Sequence, residues 1–340
     1  MRGYHGARMP DWASLLHNLV ILELHGCKEL EYLGNFRSVE EVCFFPSLEE
    51  LHLEDLPKLK GWIRGGVRVE DGSSSSNSQL QLAPYFPQLK ELKIDSCPEL
   101  KWVPTCPKLE VLFLEEPHKR GMINTDTDDT LGEAPKLRRV EIVNVTWLKS
   151  LPMEAFQRLE WLHIRNDEEL ESLGDIREVF RGCSSSLKYL NIQFCPKLKS
   201  VVSRGLEHLV ALEELYLLDC VDLSLSEENE GEIGTNAGIG RMIRLYILPS
   251  LRVLQLWNLP QLVNLPNWMQ FLPALQKLQI CFCHGLKAMP IWMPKLKSLK
   301  QLDVSFCLES LERRCQNDPP GEDWPYIQHI PKILFEFCFD

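Results

Sequence analysis

Residues 275–290 read LQKLQICFCHGLKAMP. Taken alone, Cys281, Cys283 and His284 put three metal-ligating side chain types within four residues, which raises the idea of a small metal knuckle. Taken by its apolar positions, the same stretch is a ruler: Leu275, Leu278, Ile280, Cys283, Leu286, Met289 and Pro290. The two readings make different demands on the rest of the chain. A zinc site needs a second ligand pair at usable spacing, and a repeat needs the ruler to recur.

The ruler recurs. It fits Leu19, Leu22, Leu24, Cys27, Leu30 and Leu33, and again Leu48, Leu51, Leu53, Leu56, Leu59 and Trp62. It returns at Leu89-Leu92-Ile94-Cys97, Leu109-Leu112-Leu114, Leu137-Val140-Ile142 and Leu159-Leu162-Ile164-Asp167. Leu187-Leu190-Ile192-Cys195, Leu212-Leu215-Leu217-Cys220, Leu251–Leu265 and Leu299-Leu302-Val304-Cys307 complete eleven copies with the opening stretch. Successive copies start about 20 to 41 residues apart, the signature of a leucine-rich repeat with inserted loops. Within L-x-L, period-two alternation makes a short strand whose leucines share one face. One unit cannot bury that face alone, so units stack. The expected fold class is α/β: a leucine-rich-repeat solenoid, or horseshoe, with a short-stranded parallel sheet on its concave face.

The expected organisation is a partial N-terminal repeat at 1–18, a solenoid at 19–312 and a C-terminal cap or tail at 313–340. The first repeat lacks its strand half, which leads us to expect a truncated start. Polar inserts near 64–84, 117–134 and 224–247 read as solvated loops. The stretch Asn124–Asp129 is acidic, but the glycine and distal glutamate of a calcium loop are missing around it.

Lys+Arg total 37 against Asp+Glu 48, a net charge of −11. That balance speaks against nucleic acid and against an anionic membrane surface as partners. No run of about 18 apolar residues exists to insert in a membrane. The opening MRGYHGARMPDWASLLHNLV has no basic segment followed by an apolar one, so the chain is expected not to be secreted and to act in the cytoplasm or nucleus. Twelve cysteines are then expected as thiols.

The ruler settles the opening question. Cys283 shares its position with Cys27, Cys97, Cys195, Cys220 and Cys307, which makes all six expected core side chains; Cys281 and His284 become surface neighbours. No phosphate loop, nucleophile elbow or zinc-protease motif is present, so no catalytic residue, cofactor or metal is expected.

What remains is the outward row of x positions. Its first half supplies Glu23, His25, Glu50, His52, Glu54, Glu91, Lys93, Asp95 and Glu115. Its second half supplies Trp161, His163, Arg165, Tyr189, Gln193, Tyr216, Trp257, Lys277 and Gln279, with Phe194, Phe282 and Phe306 beside them. The ledge therefore runs from acidic to aromatic. Aromatic anchors of this kind are favoured at protein-binding hot spots, and the alternative is rings that merely pack on each other or under an inserted loop.

The repeats carrying CPEL (97–100) and CPKL (195–198), the stretch LPSLRVLQLWNLPQLVNLP (248–266) and the tail RRCQNDPPGEDWPYIQHIPKI (313–333) resemble the leucine-rich-repeat region of plant coiled-coil, nucleotide-binding (NLR) disease resistance proteins. The resemblance implies recognition of a pathogen effector, or of a host protein that one modifies, and restraint of the receptor's own nucleotide-binding domain. That domain and its phosphate loop are missing here, so nucleotide binding is not carried over. The competing classes are a constitutive scaffold or ubiquitin-ligase substrate adaptor, and a fragment without function.

Overall fold

The structure is a computed structural model that describes residues 1–10, 16–35, 45–64, 86–100, 106–115, 134–149, 151–200, 206–225 and 248–336. The three polar inserts lie outside the described residues apart from Arg64, Ala134, Ser224 and Leu225, as does the acidic stretch 124–129. The chain divides into two compact units, Met1–Phe156 and Gln157–Asp340.

In the first unit the L-x-L segments form β1 (Ile21–His25), β3 (Glu50–Glu54), β5 (Glu91–Asp95), β6 (Val111–Leu114) and β7 (Arg139–Ile142), each parallel to the next. β2 (Tyr32–Asn35) and β4 (Gly61–Arg64) make a second, two-stranded parallel ladder. Residues before β1 run along its open edge: Arg2 bridges His25, and Gly3 N donates to His25 O at 2.9 Å.

The second unit stacks β8 (Trp161–Arg165), β9 (Tyr189–Gln193), β10 (Glu214–Leu218), β11 (Val253–Trp257), β12 (Lys277–Cys281) and β13 (Gln301–Ser305), again all parallel. The tail adds a further strand, β14 (Lys332–Glu336), in register with β13. The register is constant: the first L of each L-x-L faces the first L of its neighbour, as Leu215 faces Leu190 and Leu254. Ladder leucines such as Leu51, Leu92, Leu190, Leu215 and Leu278 are fully buried. Each such burial contributes about 1.5–3 kcal/mol.

Two local devices recur along the repeats. The residue after nine of the ladder strands is left-handed: Gly26, Asp55, Ser96, Asn166, Phe194, Asp219, Asn258, Phe282 and Phe306 all have φ between 49° and 63°. This turn lets one more N–H reach the neighbouring strand, as when Asn166 N donates to Gln193 O at 2.9 Å and Phe282 N to Ser305 O at 3.0 Å. Two residues beyond the strand, a ladder cysteine turns back. Its Sγ donates to the same last carbonyl: Cys195 to Gln193 O at 3.5 Å, Cys220 to Leu218 O at 3.4 Å and Cys283 to Cys281 O at 3.5 Å. Both lone pairs of that carbonyl are thereby used, which explains a small, weakly donating apolar residue there. Asp167 takes the ladder position in its repeat and works in the opposite sense, its Oδ1 accepting from Glu169 N and Leu170 N, each at 2.9 Å.

The expected cysteine positions are reproduced with two differences. Cys307 is half-buried rather than buried. Cys281, expected at the surface, is only 4% exposed although its register points outward. It sits in register between Trp257 and Ser305, beside the left-handed Phe282, and these neighbours cover it. Burial pushes the Cys281 and Cys283 thiols each up to about 12, so both stay protonated and neither is a ready metal ligand.

The GEDW segment of the tail is fixed by close contacts. A side chain at Gly321 would strike the carbonyl oxygens of Arg313 and Arg314. Asp323, 1% exposed, accepts from Arg314 Nε at 3.0 Å, from Arg314 Nη2 at 2.7 Å and from Met289 N at 2.8 Å, tying the tail to the preceding repeat.

Candidate protein-binding face

Because register is constant, the outward x positions fall in three rows. In the first unit the middle row is Glu23, His52, Lys93, Phe113 and Glu141. A second row runs Ile21, Glu50, Glu91, Val111 and Arg139, and a third runs His25, Glu54 and Asp95. Glu115 continues the third row's side just past β6. The expected acidic half thus interleaves its carboxylates with His25, His52 and Lys93. His25 Nδ1 lies 2.6 Å from Glu54 Oε2, and His52 lies 3.5 Å from Glu23 and 3.1 Å from Glu91. Lys93 Nζ is 2.5 Å from the same Glu91 oxygen that His52 approaches. Burial pushes the Glu91 carboxyl up, but Lys93 and His52 together outweigh it and hold the group below the usual carboxylate range.

Glu50, His52 and Glu91 each place a ligand-type atom within 4.8 Å of the others, yet Lys93 and His52 already share Glu91 Oε1. Beside this lattice, His25, His52, Glu54, Lys93, Asp95, Phe113, Glu115 and Glu141 line a cavity of about 300 Å³. Phe113, which the sequence reading passed over, carries Lys93 Nζ at 5.2 Å and Arg139 Cζ at 5.6 Å from its ring centre. The L-x-L pattern itself marks it, since it stands between Leu112 and Leu114.

In the second unit the rows are aromatic and amide-rich. The first is Trp161, Tyr189, Glu214, Val253, Lys277 and Gln301, and the middle one is His163, Asn191, Tyr216, Gln255, Gln279 and Asp303. The third is Arg165, Gln193, Leu218, Trp257, Cys281 and Ser305. The rings form two runs. Trp161 stacks on Tyr189 at 5.2 Å and 10°, and Tyr189 meets Tyr216 at 5.0 Å and 35°. Trp257 meets Phe282 at 4.8 Å, and Phe282 stacks on Phe306 at 4.7 Å and 17°. The rings therefore do pack on one another, and all six remain half-exposed while doing so.

Tyr216 hydroxyl donates to Glu214 Oε2 at 2.7 Å. Burial first, and then this bond, push its pKa well above the ordinary phenol range, so it stays a donor. Phe194, Phe282 and Phe306 stand where other repeats use glycine, aspartate, serine or asparagine in a left-handed turn. A bulky side chain there costs about 1–2 kcal/mol, and Phe194 is nevertheless 48% exposed. Burial in the core is no explanation for that choice.

Residues 162–308 match the family model described as plant disease resistance protein RPS2-like, leucine-rich repeats. These residues are similar to the leucine-rich repeats of disease resistance proteins. The matched stretch runs from β8 to β13 and contains most of the aromatic face. Repeats of this type are protein-interaction modules. No curated protein matches the chain.

Several solved structures are similar to it at low identity. The leucine-rich-repeat domain of the type III effector XopL is 21% identical, with 81% of this chain and 72% of that one covered and a TM-score of 0.41. The TLR13–ssRNA13 complex is 16% identical over 86% of this chain and 43% of that one, with a TM-score of 0.42. The mouse RP105/MD-1 complex is 15% identical over 95% and 61%, with a TM-score of 0.34. Among the described residues, no helix is long and apolar enough to cross a membrane.

Proposed function

We propose that the chain is a recognition module of plant defence, which binds a pathogen effector, or a host protein altered by one, through the outward face of its sheet. In a full receptor the same repeats would also restrain the neighbouring nucleotide-binding domain, and the module would work in the cytoplasm or nucleus. The observation that carries this reading is the pair of ring runs, Trp161–Tyr189–Tyr216 and Trp257–Phe282–Phe306, held half-exposed on a rigid parallel ladder. Rigid aromatic groups bury large area on binding with little loss of side-chain freedom. The charge lattice of the first unit supplies steering rather than affinity, because its carboxylates already have cationic or histidine neighbours.

The test uses the wild-type chain and a variant carrying Trp161→Ala, Tyr189→Ala, Tyr216→Ala and Trp257→Ala as baits in plant extract, with and without candidate effectors. Circular dichroism verifies that the variant is folded. The expected result is loss of the wild-type partners. A folded variant that retains the same partners sinks the proposal.

A further inference from the structure

In the second unit the sheet ends at β14, which pairs with β13 on one side and with no described strand on the other. A strand in that position presents an edge to which another strand can add. The side chains show the same opening. In the earlier ladder strands both inward L-x-L positions are buried, as Leu302 and Val304 are in β13. Their register partners in β14, Ile333 and Phe335, are half-exposed. Leu334, on the outward side between them, is half-exposed too, and the exposed Lys332 and Glu336 flank the three.

The order of these five residues selects a partner. Lys332-Ile333-Leu334-Phe335-Glu336 is its own complement about Leu334. Laid antiparallel on a second β14 and centred there, Lys332 faces Glu336 of the other copy, Ile333 faces Phe335, and Leu334 faces itself. Opposite charges directly across an antiparallel pair stabilise it, and like charges destabilise it. A parallel arrangement would set lysine on lysine and glutamate on glutamate. A shift of two residues would set a charge against Leu334, and a slip of one would turn inward side chains against outward ones. The backbone agrees with the centred register. Lys332 N donates to Lys300 O at 3.1 Å and Glu336 O accepts from Phe306 N at 2.7 Å, so both ends of the strand turn to β13. The alternation then turns the N–H and C=O of Ile333 to the open edge.

We propose that the edge of β14 binds the same strand of a second copy of this chain, antiparallel and in register about Leu334. A two-fold axis normal to the sheet generates the pairing, covers Ile333 and Phe335 with their counterparts, and keeps both outward faces on one side. Two Trp257–Phe282–Phe306 runs then share one surface. The edge itself lies outside both ring runs, so the pairing stands or falls independently of the binding face.

One strand pair is a small interface, so the dimer is expected to be weak. Sedimentation velocity of the full chain from about 1 to about 100 μM reads it, and the wild type is expected to pass from monomer to dimer over that range. Lys332→Glu sets glutamate against glutamate at both ends of the pairing, and Glu336→Lys sets lysine against lysine. Each is expected to weaken the dimer at least about tenfold. The double variant is expected to recover it. An equimolar mixture of the two single variants is also expected to dimerise, because all four charges are then matched. Circular dichroism verifies folding. If a reversed charge disturbs the fold, Lys332→Gln, which removes the attraction without adding repulsion, carries the test with a smaller loss. The proposal is overturned if the wild type stays monomeric throughout, if the folded single variants dimerise like the wild type, or if either the double variant or the mixture fails to recover the dimer.

Discussion

The outward faces of Met1–Phe156 and Gln157–Asp340 are built on one register and carry opposite chemistry. In the first, His25, His52 and Lys93 stand against carboxylates, and its ring, Phe113, is approached by the chain's own Lys93 and Arg139. In the second, rings stack on rings and amides sit between them, and the buried Asn191 Oδ1 has no hydrogen-bond partner among the described residues. The same strands thus present a face that is largely satisfied by itself and a face that is not. The backbone is indifferent to the choice: leucines hold both, and the x positions are spent separately.

The sharpest way to break the comparison is through charge pairs of unlike burial. Asp323→Ala strips the buried carboxylate from Arg314 and Met289 N in the second unit, and about 3–5 kcal/mol of unfolding free energy should be lost. Glu29→Ala, which removes an exposed pair with Lys58 at 2.7 Å in the first unit, should cost less than about 1 kcal/mol. Urea unfolding of the two variants checks this, and equal losses would mean that the tail contact is not a cap. The turn residue gives a smaller contrast. Phe194→Asn should stabilise the second unit by about 1 kcal/mol, and the reverse change Asn166→Phe in the neighbouring repeat should destabilise it by a similar amount.

The smallest effect is on the charge lattice. The folded carboxyl of Glu91 lies below its ordinary value, so its stabilisation is fully present above the unfolded pKa of about 4.3 and fades as pH falls through the folded one. The gap in urea midpoint between wild type and Glu91→Gln should therefore shrink from about pH 6 to about pH 3. A constant gap would mean that Lys93 and His52 do not act on Glu91 through charge.

Much of this architecture is legible in the sequence, because a leucine at every ruler position must go inward and period two then sends its neighbours out. Trp161, Tyr189, Tyr216 and Trp257 lie on the outward register for that reason alone. What the ruler does not encode is which outward residues cover one another. Cys281 and Asn191 have outward register but lie buried. The alternation of His25, His52 and Lys93 with glutamates emerges only when strands far apart in sequence are set side by side. The left-handed turn is half legible: glycine, asparagine and aspartate announce it, and the three phenylalanines conceal it. The tail strand β14 breaks the ruler, and its pairing is decided by the cap contacts around Asp323 rather than by a leucine pattern.

The constant register has one more consequence. Adjacency on the face is set by repeat count and not by chain distance: Glu214 meets Val253 as squarely as Lys277 meets Gln301, whatever number of residues the chain spends in between. Insertions and deletions between strands leave the pattern of the face unread and unaltered. A slip of one residue within a single strand does the reverse, exchanging its whole outward set for leucines. The surface is in that sense a page of fixed lines, on which length varies freely in the margins and single letters change without moving the text.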